Sequence, residues 1–114
     1  MINDFYRGDT QVYTLTIKDK DGNAVNLSGS SVWFTMKKNP TLPDDEATLQ
    51  VVVIDHTDPT NGITKIVVPA TETSKLKGGH TYYYDFQLVD FAKNVKTLLA
   101  GKVEVLQDVT QRVE

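Results

Sequence analysis

Apolar and polar residues alternate at period two along most of this chain, and turn-forming residues interrupt the alternation every eight to fifteen positions. That is the signature of a sandwich or barrel of short antiparallel strands. Between residues 10 and 18, Tyr13, Leu15 and Ile17 alternate with Val12, Thr14 and Thr16. The first set predicts the core face of a half-buried strand. Asp19-Lys20-Asp21-Gly22-Asn23 follows, with an Asp-Gly pair suited to a tight hairpin turn, and Leu27-Ser28-Gly29 predicts a second reversal. From 31 to 38, Val32, Phe34 and Met36 share one face and Trp33, Thr35 and Lys37 the other. The first set reads as buried, which leaves Trp33 outside; the reversed register would put Trp33 in the core.

Residues 39–46 carry two prolines and the acids Asp44, Asp45 and Glu46, which predicts a mobile surface loop. Residues 47–54 are apolar on both faces, through Leu49, Val51, Val52, Val53 and Ile54. Either both sides are covered or one meets a partner. Asp58-Pro59-Thr60-Asn61-Gly62 turns the chain into a short strand over 63–68. One helical turn is expected near 71–76, with Thr71 as its cap and Leu76 tucked beneath. Gly78-Gly79 then leads into the strongest strand, 80–90, with Tyr82, Tyr84, Phe86 and Leu88 on one face against Thr81, Tyr83, Asp85 and Gln87. A last strand over 95–106 pairs back on it, carrying Leu99, Gly101, Val103 and Val105 on one face. The expected fold is therefore all-β, a sandwich of about seven strands over residues 1–106. Residues 107–114 form an exit tail in which Val109 and Val113 are spaced like one face of a helix.

Composition narrows the chemistry. The chain has 114 residues, enough for one core, and is 39% hydrophobic and 24% charged, which fits a globular domain. Its formal net charge of -3 and dispersed Lys and Arg residues argue against a nucleic-acid partner. The absence of cysteine excludes disulfides and thiolate metal sites. No apolar run approaches the ~18 residues that span a bilayer, and residues 1–10 do not read as a signal peptide.

No catalytic constellation emerges. His56 and His80 have no metal-ligand spacing and read as solvated loop residues. Ser28, Ser30, Ser31 and Ser74 lack a nucleophile context, and the acids at 44–46 read as a solvated cluster. The run from Asp19 opens like a calcium loop, but its twelfth position is Ser30 instead of a bidentate Glu. Arg7-Gly8-Asp9 matches an integrin tripeptide only by chance and serves chain entry into a strand. The expectation is a non-enzymatic domain with no cofactor.

Two structural features stand out. The spacing of Leu76, Gly78, Gly79, Tyr82 and Tyr84 resembles the tyrosine corner of immunoglobulin-like sandwiches, with Tyr82 or Tyr84 bonding back to upstream backbone. Trp33 and Tyr83 on outer faces, with Val52, Ile54, Val109 and Val113, form the candidate partner-binding set. The same two aromatics support a rival reading, a carbohydrate- or cell-surface-binding sandwich in which they stack on sugars beside carboxylates.

Several stretches carry a family resemblance: Arg7-Gly8-Asp9-Thr10, Asp19 through Asn23 with Leu27, Val32 through Lys38, and Gly79 through Leu88. Leu99 through Val105 with Gln107-Asp108-Val109-Thr110 continues it. Together they resemble the N-terminal domain of phage baseplate upper proteins. The resemblance implies an immunoglobulin-like sandwich that fixes a baseplate protein to the tail hub. It implies other tail and baseplate proteins as partners and a place in the virion of a phage or prophage after synthesis in a bacterial cytoplasm; the lack of a long apolar run adds the expectation of no membrane insertion. Longer members of that family carry a distal arm; stopping at Glu114, this chain is either an excised domain or a short relative, which puts any receptor-binding role in doubt. Pairing of exposed strand edges would give a homo-oligomer.

Overall fold

The two best-alternating segments lie side by side at the centre of the molecule. A computed structural model describes residues 2–109. Its strands are β1 (Phe5–Tyr6), β2 (Gln11–Thr16), β3 (Ser31–Lys37), β4 (Leu49–Val53), β5 (Ile63–Val68), β6 (His80–Val89) and β7 (Val95–Leu106). Five form one sheet in the order β1-β7-β6-β3-β4, and β2 pairs with β5 in a second. The fold is an all-β sandwich. The chain leaves the larger sheet after β4, forms β5 in the smaller one, and returns as β6 beside β3.

Every pair is antiparallel except β1 with β7, which run parallel through Phe5 opposite Val105 and Tyr6 opposite Leu106. This two-residue strand was invisible in the polar N-terminal segment; burial of Phe5 anchors it. Val32, Phe34 and Met36 on β3 and Tyr82, Tyr84, Phe86 and Leu88 on β6 all point into the core, so Trp33 takes the outer face. β4 also alternates: Leu49, Val51 and Val53 lie opposite the core-facing Met36, Phe34 and Val32. Gln50 and Val52 therefore face outwards, which settles which of its two apolar faces is covered.

The smaller sheet closes the core with Ile66 and Val68 and, from β2, Tyr13 and Leu15. Tyr13, Phe34, Tyr84 and Phe86 form an aromatic cluster, with Phe34 and Phe86 ring centroids 4.7 Å apart and Tyr13 5.5 Å from Phe34. Such offset and edge-on pairs add to the burial of the rings themselves. A bulge between Phe86 and Gln87 on the β6–β7 ladder shifts the register by one residue and sharpens the local twist.

Three short helical turns connect strands, where one was expected. The α-helical turn α1 spans Ala70–Thr73, begins after Pro69 and has no side-chain cap, so Thr71 does not cap it. Single 3-10 turns lie at Asp44–Glu46 and Pro59–Asn61. Gly62 follows the latter with φ +72°, and a Cβ there would collide with the Ile17 and Val25 carbonyl oxygens. Only glycine fits where the turn passes beneath β2.

Lys37 anchors the proline-rich loop at two points. Lys37 Nζ donates to the Leu42 carbonyl at 2.7 Å and to Asp44 Oδ1 at 2.9 Å.

Candidate functional site

The register of the larger sheet organises its outer face into three rows, two crossing β4, β3, β6 and β7 and the third crossing β3, β6 and β7. Val52, Trp33, Gln87 and Thr97 stand opposite one another in the first. Gln50, Thr35, Asp85 and Ala100 make the second, and Lys37, Tyr83 and Lys102 the third. Residues two apart on a strand lie ~6.6 Å apart and neighbouring strands ~4.8 Å. At its centre the middle row carries the shorter Thr35, Asp85 and Ala100, between Trp33 and Gln87 on one side and Lys37, Tyr83 and Lys102 on the other. The result is a trench running across the strands, of about 860 Å³, with Pro40 and Asp44 of the tied-down loop completing its rim. That volume falls within the roughly 300–1,000 Å³ typical of ligand pockets.

The polar groups of the trench hold one another in place. Trp33 Nε1 donates to Ser31 Oγ at 2.9 Å, which fixes the indole on its wall. Gln50 Nε2 donates to Thr35 Oγ1 at 3.0 Å, and Gln87 Nε2 to Thr97 Oγ1 at 3.3 Å. Burial on the trench floor pushes the Asp85 carboxyl above the usual carboxylate range, with Lys37 pulling the other way and Asp44 reinforcing the rise. On the rim, the hydrogen bond and charge of Lys37 hold the Asp44 carboxyl below that range. An exposed and a half-enclosed acid thus share one lysine.

Of the residues expected to meet partners, the trench unites Trp33 and Tyr83, the latter 39% exposed. Val52 and Ile54 lie apart, 42% and 69% exposed at the β4 edge, which pairs with β3 alone. Val109 is 99% exposed, and Val113 lies outside the described residues. Sequence reasoning passed over Asp85, Gln50 and Gln87, because their relation to Trp33 exists only through cross-strand register. It also passed over Phe91, 79% exposed at the tip of the β6–β7 hairpin. There Asp90 Oδ1 accepts the Ala92 and Asn94 backbone N–H groups, and those bonds, the Asn94 amide foremost, lower its carboxyl pKa.

The tyrosines of the expected corner have different partners. Tyr82 Oη accepts the Lys77 backbone N–H at 2.8 Å, five residues upstream, whereas Tyr84 Oη accepts the Ile2 N–H at 3.1 Å. Arg7 does not present an integrin tripeptide: its guanidinium donates to the Leu76 and Ser74 carbonyls and contacts Asp108 Oδ1 at 3.3 Å. It ties the α1 loop to the end of β7. His56 is not a solvated histidine either. Nε2 lies 2.8 Å from the Ser30 carbonyl and Nδ1 2.9 Å from the buried Thr64 hydroxyl. A carbonyl only accepts, so Nε2 carries the proton and Nδ1 of the neutral ring accepts from Thr64.

Among the described residues no group of three His, Asp or Glu side chains is arranged to hold a metal ion, and no helix is long and apolar enough to cross a membrane. No protein-family model matches the chain, and no curated protein matches it in sequence.

Proposed function

We propose that this chain is a non-enzymatic assembly module of a phage or prophage tail baseplate, an immunoglobulin-like sandwich that docks to neighbouring baseplate subunits. The family resemblance across nearly the whole sequence supplies the setting. The observation that carries the docking role is the open β4 edge: a five-residue strand hydrogen-bonded on one side only, with Val52 and Ile54 exposed beside its unpaired backbone. An open edge of this kind accepts a strand from another chain, where main-chain bonds give affinity and side-chain pockets give specificity. The Arg7 clamp suits such a part, because it fixes the direction of Gln107 and Asp108 against the sandwich. The other tail and baseplate proteins are the partners, and the assembled virion is the place of action.

The test is reconstitution with the tail-hub and baseplate proteins encoded beside this chain, followed by size-exclusion chromatography with light scattering. Co-elution is expected, and Ile54→Lys together with Val52→Lys abolishes it. A chain that elutes alone in every mixture, or that lies among metabolic genes with no tail genes nearby, overturns the reading.

A further inference from the structure

The outer-face trench reaches β4 through Gln50 but is not lined by Val52 or Ile54, and it has a chemistry of its own. Its charges balance: Lys37 and Lys102 line it together with Asp44 and Asp85. A site balanced in this way neither attracts phosphate nor concentrates cations. An all-apolar ligand would leave the Asp85 carboxyl buried against it without a hydrogen-bond partner, at the cost of each bond lost to water. An added β-strand finds no purchase, because the trench crosses β3 and β6, each already paired on both sides. What remains is a ligand that offers flat C–H surface to an aromatic ring and hydroxyls to a carboxylate and amides.

We propose that the trench between Trp33 and Tyr83 is a binding site for a neutral oligosaccharide. Trp33, steadied by Ser31, presents its ring as one wall, and Tyr83 forms the facing wall in the next-but-one row. Aromatic side chains in such positions contribute large contact area at little entropic cost. On the floor, Asp85 accepts from sugar hydroxyls, and Gln50 and Thr35, already bonded to each other, have donors and acceptors to spare. About four strands of floor, ~14 Å across, accommodate a chain of sugars, not a single ring. The trench reading is independent of the baseplate proposal, since it does not use Val52, Ile54 or the unpaired β4 backbone.

Trp33 is the sole tryptophan, so its fluorescence reports on this trench alone. The purified chain is titrated with short uncharged oligosaccharides of the cello-, malto- and chito-series, followed by Trp33 emission and by calorimetry. At least one series is expected to give a saturable change. Tyr83→Ala and Asp85→Asn should each weaken it about tenfold or more, with calorimetry showing the same for Trp33→Ala. Ile54→Lys should leave it unchanged, and circular dichroism melts confirm that each variant is folded. Silence from all three series at millimolar concentration overturns the proposal, as does binding that survives both aromatic substitutions. If instead Trp33→Ala and Tyr83→Ala abolish co-elution with tail proteins while no sugar binds, the trench is a protein-docking surface and the saccharide assignment fails.

Discussion

Neighbouring residues on β3 and β6 do opposite work. Val32, Phe34, Met36, Tyr82, Tyr84, Phe86 and Leu88 are buried in an aromatic-rich core, while Trp33, Thr35, Lys37, Tyr83, Asp85 and Gln87 line a polar trench. On these two strands, even positions hold the molecule together and odd positions lie on the outer face. The inner face gains its energy from apolar area and dense contact, so it tolerates little change. The outer face contributes little to folding, so it is free to carry polar groups and charge. Stability and recognition can therefore be separated by substituting adjacent residues of a single strand.

The largest expected effect tests that separation directly. Phe34→Ala removes a ring packed against Tyr13, Tyr84 and Phe86 and should cost ~3–5 kcal/mol in urea unfolding. Trp33→Ala, one residue away on the outer face, should cost about 1 kcal/mol or less. Equal losses would show that the outer face is structural after all.

A smaller loss is expected from the polar bridge between the sheets. His56→Ala deprives the buried Thr64 hydroxyl and the Ser30 carbonyl of a partner, at a cost of ~1–3 kcal/mol. Adding Thr64→Val should recover part of it, because the orphaned hydroxyl goes too. A double variant no better than the single one would mean that the imidazole acts by packing alone. Below this in size stands Tyr82→Phe, which leaves the Lys77 N–H without its acceptor and should lower stability by about 1 kcal/mol.

Much of this architecture was legible in the sequence because burial on one face writes itself as alternation. The core faces of β3 and β6 and the 95–106 limits of β7 follow from it, and so does the outward placement of Trp33. β4 was ambiguous, since Val51, Val52 and Val53 are equally apolar and only pairing with β3 decides which face is covered. β1 escaped notice because two residues cannot display a period, and its partner lies about a hundred positions away at Val105 and Leu106. His56 was misread, and the clamp that Arg7 forms was not foreseen, for the same reason: their partners Ser30 and Asp108 lie 26 and 101 residues away, and nothing local in a sequence marks such a contact. The trench was half-visible. Trp33 and Tyr83 stood out as aromatics on polar faces, but the floor of Thr35, Asp85 and Gln50 depends on register.

The smallest effect has the opposite sign and compares two tyrosines that share the core. Tyr82 Oη has a partner in the Lys77 amide, but Tyr13 Oη is enclosed without one among the described residues. A hydroxyl stripped of water and given nothing in return is a net cost, so Tyr13→Phe should leave stability unchanged or raise it by up to about 1 kcal/mol. Alkaline pH gives the sharper reading. Burial, with Tyr84 adding to it, pushes the Tyr13 pKa up to about 12 from the ordinary value of 10.0. The folded state thus resists ionisation that the unfolded chain undergoes freely. The contribution of Tyr13 is intact below pH 10 and is lost as the pH climbs towards 12. Tyr13→Phe removes that loss, so its stability advantage over the native chain should widen between pH 10 and 12 in urea titrations. An advantage that stays constant over this range would mean that the Tyr13 hydroxyl has a partner or reaches water.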